Sequence, residues 1–251
     1  MFHYNITQEF LQGIPKIPFR NGVGAYEGVV CHCTDSDNHS GGDTPHNEKN
    51  YEQNTWKSAF VHFFVGIENG EVIILQTAPT DYISYHCGGG NSRFIGVELC
   101  MYDDYQTFLK AYDAYVYIIA KLLYDRKLLV SSAQSSSTGT CWAHDDVRRL
   151  LGGTTHEDPI DYLKAHGISW DDHIKYVTDR YNQFVAEENP TTPVKKERKP
   201  MEQWLKDIVI QTIKDLAARD KIGNPDLWIN KVNNDEDISA LAIILINRLE
   251  Q

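Results

Sequence analysis

Tyr26-Glu27-Gly28-Val29-Val30-Cys31-His32-Cys33-Thr34 is a short apolar run that gives way to the polar loop Asp35-Ser36-Asp37. A run of this length and character suits a strand buried in a sheet. Alternation along a strand puts Cys31 and Cys33 on one side and His32 on the other. With His32 facing a cleft, both cysteines turn toward the core. Strand ends in α/β proteins are where sites are built, so His32 is the first residue to watch.

Working outward, strands and helices alternate. Phe60–Ile67 and Glu71–Thr77 flank Glu68-Asn69-Gly70, and an Asn-Gly pair between two β-rich runs predicts a hairpin. Arg93–Cys100 reads as another strand. From Tyr105 to Leu123, apolar residues recur at three and four, the signature of a long helix with one buried face. Asp145–Leu151 reads as a short helix stopped by Gly152-Gly153, and a second short helix runs from Pro159 to near Gly167. Ser169-Trp170-Asp171-Asp172 starts a helix with Ile174, Val177, Tyr181 and Phe184 on one face. The fold class expected is α/β, a mixed central sheet flanked by helices. The polar tract Asp35–Asn50 reads as a surface loop.

A composition break lies at 187–200, where Pro190, Pro193 and Pro200 accompany a charge run and a single apolar residue. It reads as an exposed linker. Of 24 Lys and Arg and 35 Asp and Glu, residues 195–251 hold ten of each, so the whole net charge of −11 lies upstream. The expected organisation is a domain at 1–186, the linker, and a small α-helical module at 201–251. That module carries amphipathic patterns over Met201–Arg219 and Ile238–Leu249, with a turn and short helix at Asn224–Trp228. Its thin core suits self-association or docking onto a partner.

In 251 residues, 41% hydrophobic and 24% charged, there is material for a real core. The acidic balance argues against nucleic acid, whose backbone needs clustered Lys and Arg. No apolar run reaches a membrane span, and the N-terminus has no basic region followed by an apolar stretch. The expectation is a protein made in a cytoplasm, without a membrane partner. The five cysteines, an odd number with no CxxC, read as reduced thiols.

Of ten histidines, His3, His39, His46, His166 and His173 sit in polar stretches and read as solvated. The informative ones are His32, His62, His86, His144 and His156. His144 directly precedes a short helix, and Asp158 follows fourteen residues later in Thr155-His156-Glu157-Asp158-Pro159. Two histidines and a carboxylate with an open fourth position form a common catalytic zinc set. Locally, however, Asp158-Pro159 also reads as a helix start, with Asp158 as the cap and Pro159 first in the helix. Both readings stand on sequence alone. No GxSxG elbow points to a serine nucleophile.

Four stretches come in a telling order: Val30-Cys31-His32-Cys33-Thr34, Ile95-Gly96-Val97-Glu98-Leu99-Cys100, Ala143-His144-Asp145-Asp146-Val147, and Gly152-Gly153-Thr154-Thr155-His156-Glu157-Asp158-Pro159. Together, over roughly residues 15–180, they resemble the type 2 N-acetylmuramoyl-L-alanine amidases, especially those that serve as bacteriophage endolysins of Gram-positive hosts. The resemblance implies Zn2+ held by His32, His144 and Asp158, Glu98 as the catalytic carboxylate, and His156 at the developing oxyanion. His62 and His86 are expected to bind substrate. Many relatives carry a tyrosine where this chain has Val61, just before His62.

The implied reaction is hydrolysis of the amide between N-acetylmuramic acid and L-alanine in peptidoglycan. The implied setting is a lysin held in the host cytoplasm until a holin releases it to the wall. Two alternatives share the fold: a peptidoglycan-binding protein without activity, and a cytoplasmic amidase that recycles muropeptides. The filled ligand positions favour an enzyme, and the C-terminal module favours the lytic role.

Overall fold

The computed structural model describes residues 3–34, 43–134, 137–188, 209–211, 213–214, 217–218 and 225–234. Among them, β1 (Ile6–Gln8), β2 (Gly28–Cys33), β3 (Phe63–Glu68), β4 (Glu71–Gln76), β5 (Phe94–Leu99) and β6 (Cys141–Ala143) form one sheet in the order β1-β4-β3-β5-β2-β6. The β3–β4 pair is antiparallel and the other pairs are parallel. The expected hairpin is present: Asn69 at φ 51° and Gly70 at φ 81° supply the two positive-φ positions of its tight turn. The mixed sheet flanked by helices is the architecture expected from the sequence.

The helices are α1 (Pro45–Thr55), α2 (Tyr105–Asp125), α3 (His144–Leu150), α4 (Ile160–Ala165), α5 (Trp170–Glu188) and α6 (Pro225–Asn233). Asp104 caps α2 by accepting the Thr107 N–H at 2.7 Å. At α5, Ser169 and Asp172 exchange side-chain-to-backbone bonds of 3.1 and 3.2 Å, the reciprocal cap expected there. Part of the tract read as loop is helix: Thr44 caps α1, and Pro45 occupies its first turn. That tract has no apolar stripe, because only Pro45 and Glu52 are buried from α1. Residues 35–42 lie outside the described residues.

Period-two alternation sorts the sheet into two faces. Val29 and Cys31 of β2, with Ile95, Val97 and Leu99 of β5, join the large core shared with α2 and α5. Val30 and Phe94 point the other way, onto Trp142 and Val147. His32 and Glu98 share the parity of Val30 and Phe94, and they are register partners on adjacent strands. The site is therefore built on the face opposite α2. All five cysteines are free, and Cys31 turns into the core as expected.

The chain divides into two compact units, Met1–Asn189 and Pro190–Gln251. Helix α5 continues through Glu188, so the start of the stretch read as linker is helical; residues 189–208 lie outside the described residues. In the second unit, 209–211, 213–214 and 217 are helical, and α6 confirms a helix where a turn and short helix are expected. Ile213 and Val232 pack with Val209, Ile210, Trp228 and Ile229. The amphipathic pattern over 238–249 lies outside the described residues.

Candidate metal centre and its cleft

His32 enters from the C-terminal end of β2, and His144 is the first residue of α3, directly after β6. The Ala143 N–H donates to the Asp146 carboxylate at 2.9 Å, which fixes the strand-to-helix corner carrying His144. Asp158 closes the set from the loop before α4. His32 Nδ1 lies 3.1 Å from Asp158 Oδ2, and His144 Nδ1 lies 2.9 Å from Oδ1. The three ligand atoms fall within 4.8 Å of one another. The His144 N–H also donates to the Asp158 carbonyl at 3.0 Å, tying the two backbones together.

This geometry decides between the two readings of Asp158. Helix α4 is preceded by Pro159 in the cap position, with no side-chain cap bond. The Asp158 carboxylate is taken up by the two imidazoles and by the Cys33 N–H at 3.3 Å. The local cap reading is overturned by a contact 126 residues away in sequence.

A chain of hydrogen bonds sets which nitrogen of His32 faces the carboxylate. The Phe94 carbonyl is an acceptor only, so His86 Nε2, 3.2 Å away, carries the proton that it donates. His86 Nδ1 is then an acceptor, and His32 Nε2 donates to it at 2.9 Å. His32 Nδ1 is left as a bare lone pair facing a carboxylate oxygen. Two acceptors 3.1 Å apart repel unless a cation lies between them. Burial, followed by the neighbouring His144, pushes the His32 imidazole down to about 4, so it is neutral near pH 7 as a metal ligand must be. His144 Nε2 is held by the Thr154 hydroxyl at 2.8 Å, the kind of outer contact that orients a metal-binding imidazole. Two imidazoles and one carboxylate whose ligand atoms lie within 4.8 Å of one another fit zinc.

The cluster opens into a cleft of about 1050 Å³. Glu98, His86, His144, His156 and Asp158 line it, with Glu52 from α1. Burial first, then the charge of Asp158, raises the Glu98 carboxyl well above the usual carboxylate range. Glu98 Oε2 is shielded and has no hydrogen-bond partner among the described residues. His156 is exposed at the rim, its ring stacked on His144 at 5.0 Å between centroids.

Two histidines sit differently from expectation. His62 is fully buried and is absent from the cleft lining. It donates through Nε2 to the Tyr82 carbonyl at 2.9 Å and accepts at Nδ1 from the Ser84 hydroxyl and the Gly96 N–H. This ties three chain segments together and leaves nothing for a substrate. His86 lines the cleft, but both of its nitrogens are engaged, so it orients His32. A third histidine read as solvated, His173, is wholly buried beneath α2. Sequence reasoning missed Glu52 and Thr154. The signal that could have found the helix carrying Glu52 is Thr44-Pro45, a cap residue followed by a proline.

Comparison with known proteins agrees with this fold. The family model for N-acetylmuramoyl-L-alanine amidase (Amidase_2) matches residues 23–161. The bifunctional autolysin of Staphylococcus aureus strain Mu50 is 38% identical over 202 residues, 76% of this chain, but the match spans only 15% of that protein. The crystal structure of the Staphylococcus aureus hydrolase AmiA in complex with its ligand is similar at TM-score 0.68 and 35% identity, covering 77% of this chain and 89% of that one. The catalytic domain of XlyA, at TM-score 0.51 and 22% identity, shares the fold, covering 69% of this chain and 99% of that one. With its mixed sheet and the ordered His32, Glu98, His144 and Asp158 stretches inside the matched residues, the chain belongs to the type 2 N-acetylmuramoyl-L-alanine amidase family.

Proposed function

We propose that this protein hydrolyses the amide between N-acetylmuramic acid and L-alanine of peptidoglycan with zinc held by His32, His144 and Asp158. The observation that carries the reading is the bare Nδ1 of His32 facing the Asp158 carboxylate at 3.1 Å at the foot of the cleft. Zinc bound in such a set lowers the pKa of water toward 7 and polarises a carbonyl oxygen.

The chain's own residues supply the proton transfers. Glu98 accepts a proton from the attacking water and delivers it to the leaving amine of L-alanine. His156, exposed at the rim beside His144, donates to the oxyanion that forms on the scissile carbonyl. Likeness to a staphylococcal autolysin supports wall peptidoglycan as the substrate. The ordered stretches resemble those of phage endolysins, which supports a lytic role, with release from the host cytoplasm preceding contact with the wall. The C-terminal unit then serves wall binding or self-association.

Purified walls incubated with the protein provide the test. New amino groups on L-alanine, without new reducing sugar ends, are expected, and a chelator should abolish them until zinc is restored. New reducing ends would overturn the reading.

A further inference from the structure

Behind the cleft, on the α2 side of the sheet, Cys31, Cys141 and His173 form a second cluster. All three are completely buried, and their ligand atoms lie within 4.8 Å of one another. Nothing in the proposed chemistry uses them. We propose that this is a second, structural site for a thiophilic divalent cation of the zinc class.

The spacing carries the argument. Zinc–sulfur bonds of about 2.3 Å and zinc–nitrogen bonds of about 2.0–2.1 Å, at tetrahedral angles, place two sulfurs about 3.8 Å apart and a sulfur and nitrogen about 3.6 Å apart. The two Sγ atoms are 3.7 Å apart, and Cys31 Sγ is 3.5 Å from His173 Nε2. His173 is oriented as a metal-binding imidazole is, with its other nitrogen, Nδ1, 2.9 Å from the Tyr112 hydroxyl and its ring stacked on Trp170. Charge agrees as well: two thiolates and one dication sum to zero, which a dry core tolerates far better than an isolated ion.

The position gives the site a purpose. Cys31 immediately precedes His32 on β2. Cys141 lies on β6, three residues before His144, and His173 lies on α5. A cation there would clamp β2 and β6 to α5, fixing from behind the two strand ends that aim His32 and His144 into the cleft.

Cobalt distinguishes the two sites, because the cleft set contains no sulfur. The full chain, produced in cobalt medium, is expected to hold two cobalt ions and to show thiolate-to-cobalt charge-transfer absorption. Cys141→Ala should lose that absorption and keep one cobalt, while Asp158→Asn should keep the absorption and lose the other ion. X-ray absorption of the zinc-loaded wild type needs no variant to fold: sulfur neighbours at about 2.3 Å are expected. Nitrogen and oxygen neighbours alone, a folded wild type without charge transfer, or a Cys31–Cys141 disulfide in peptide maps would each overturn the site. Retention of both cobalt ions by Asp158→Asn would count against the cleft reading alone.

Discussion

Replacing His62 by glutamine tests whether this histidine is an internal strut whose neutral form the fold requires. Its Nδ1 accepts from the Gly96 N–H at 3.1 Å, and that donor cannot turn into an acceptor. A proton on Nδ1 would therefore face another proton, in a site with no water-exposed surface. Burial accordingly pushes the imidazole from its ordinary value of 6.5 down to about 4. The unfolded chain binds the proton first as pH falls, so stability is fully present above about pH 6.5 and is lost on acidification toward pH 4. A shift of about 2.5 units at 1.36 kcal/mol each bounds the loss at about 3.4 kcal/mol, with about 2 kcal/mol gone by pH 5.

Glutamine can donate to Tyr82 and accept from Gly96 without titrating. At pH 7 His62→Gln is expected to be less stable by about 1–3 kcal/mol, because its shorter amide pairs these groups imperfectly. In urea unfolding that gap should shrink, and then reverse or vanish, by pH 4.5. A gap constant between pH 7 and pH 4.5 would refute the reasoning. A stable variant whose only change is a tenfold higher KM would restore the substrate role expected from the sequence.

Asp158→Ala should lose the cleft zinc by metal analysis and keep the ion proposed at Cys31, Cys141 and His173, while the unfolding midpoint of the metal-free protein changes little, since α4 takes no cap from Asp158; a deficit of the 0.5–2 kcal/mol typical of a lost cap would revive the local reading. Glu98→Gln should retain zinc and lose about 10²- to 10⁴-fold in turnover on soluble muropeptide, and near-normal turnover would send the search for the general base elsewhere in the cleft. Gly88→Ala puts a Cβ 2.1 Å from the Gly153 carbonyl oxygen at a φ of +58°, and should cost more than about 2 kcal/mol by thermal unfolding.

The elements legible in the sequence were those whose signal is local and periodic. The hairpin at Asn69-Gly70, the stripe of α2 and the Ser169 cap each depend on residues within a few positions of one another. Strand β1 and the three-residue β6 carry too little pattern to stand out, and they are strands because β4 and β2 offer them backbone partners. Helix α1 has a cap but no apolar stripe. The same limit appears among the histidines: His173 sits in a polar stretch and is buried because α2 brings Tyr112 over it.

The metal set illustrates the harder case, where local chemistry points the wrong way. Asp158-Pro159 is a good helix start by every neighbouring residue, and the approach of β2 and of His144 reassigns its carboxylate. What the ordered motifs conveyed was which residues come together; what the fold adds is their polarity. The Phe94 carbonyl on β5 fixes the tautomer of His86, which fixes that of His32, which turns a lone pair toward Asp158. Each step has one allowed direction, because a carbonyl oxygen only accepts. The sheet that buries Val29 and Ile95 on one face therefore also decides, on the other, that His32 turns a lone pair rather than an N–H toward the carboxylate. A His86→Phe substitution would remove that directional constraint, and with it the donor to the Phe94 carbonyl and the acceptor for His32 Nε2.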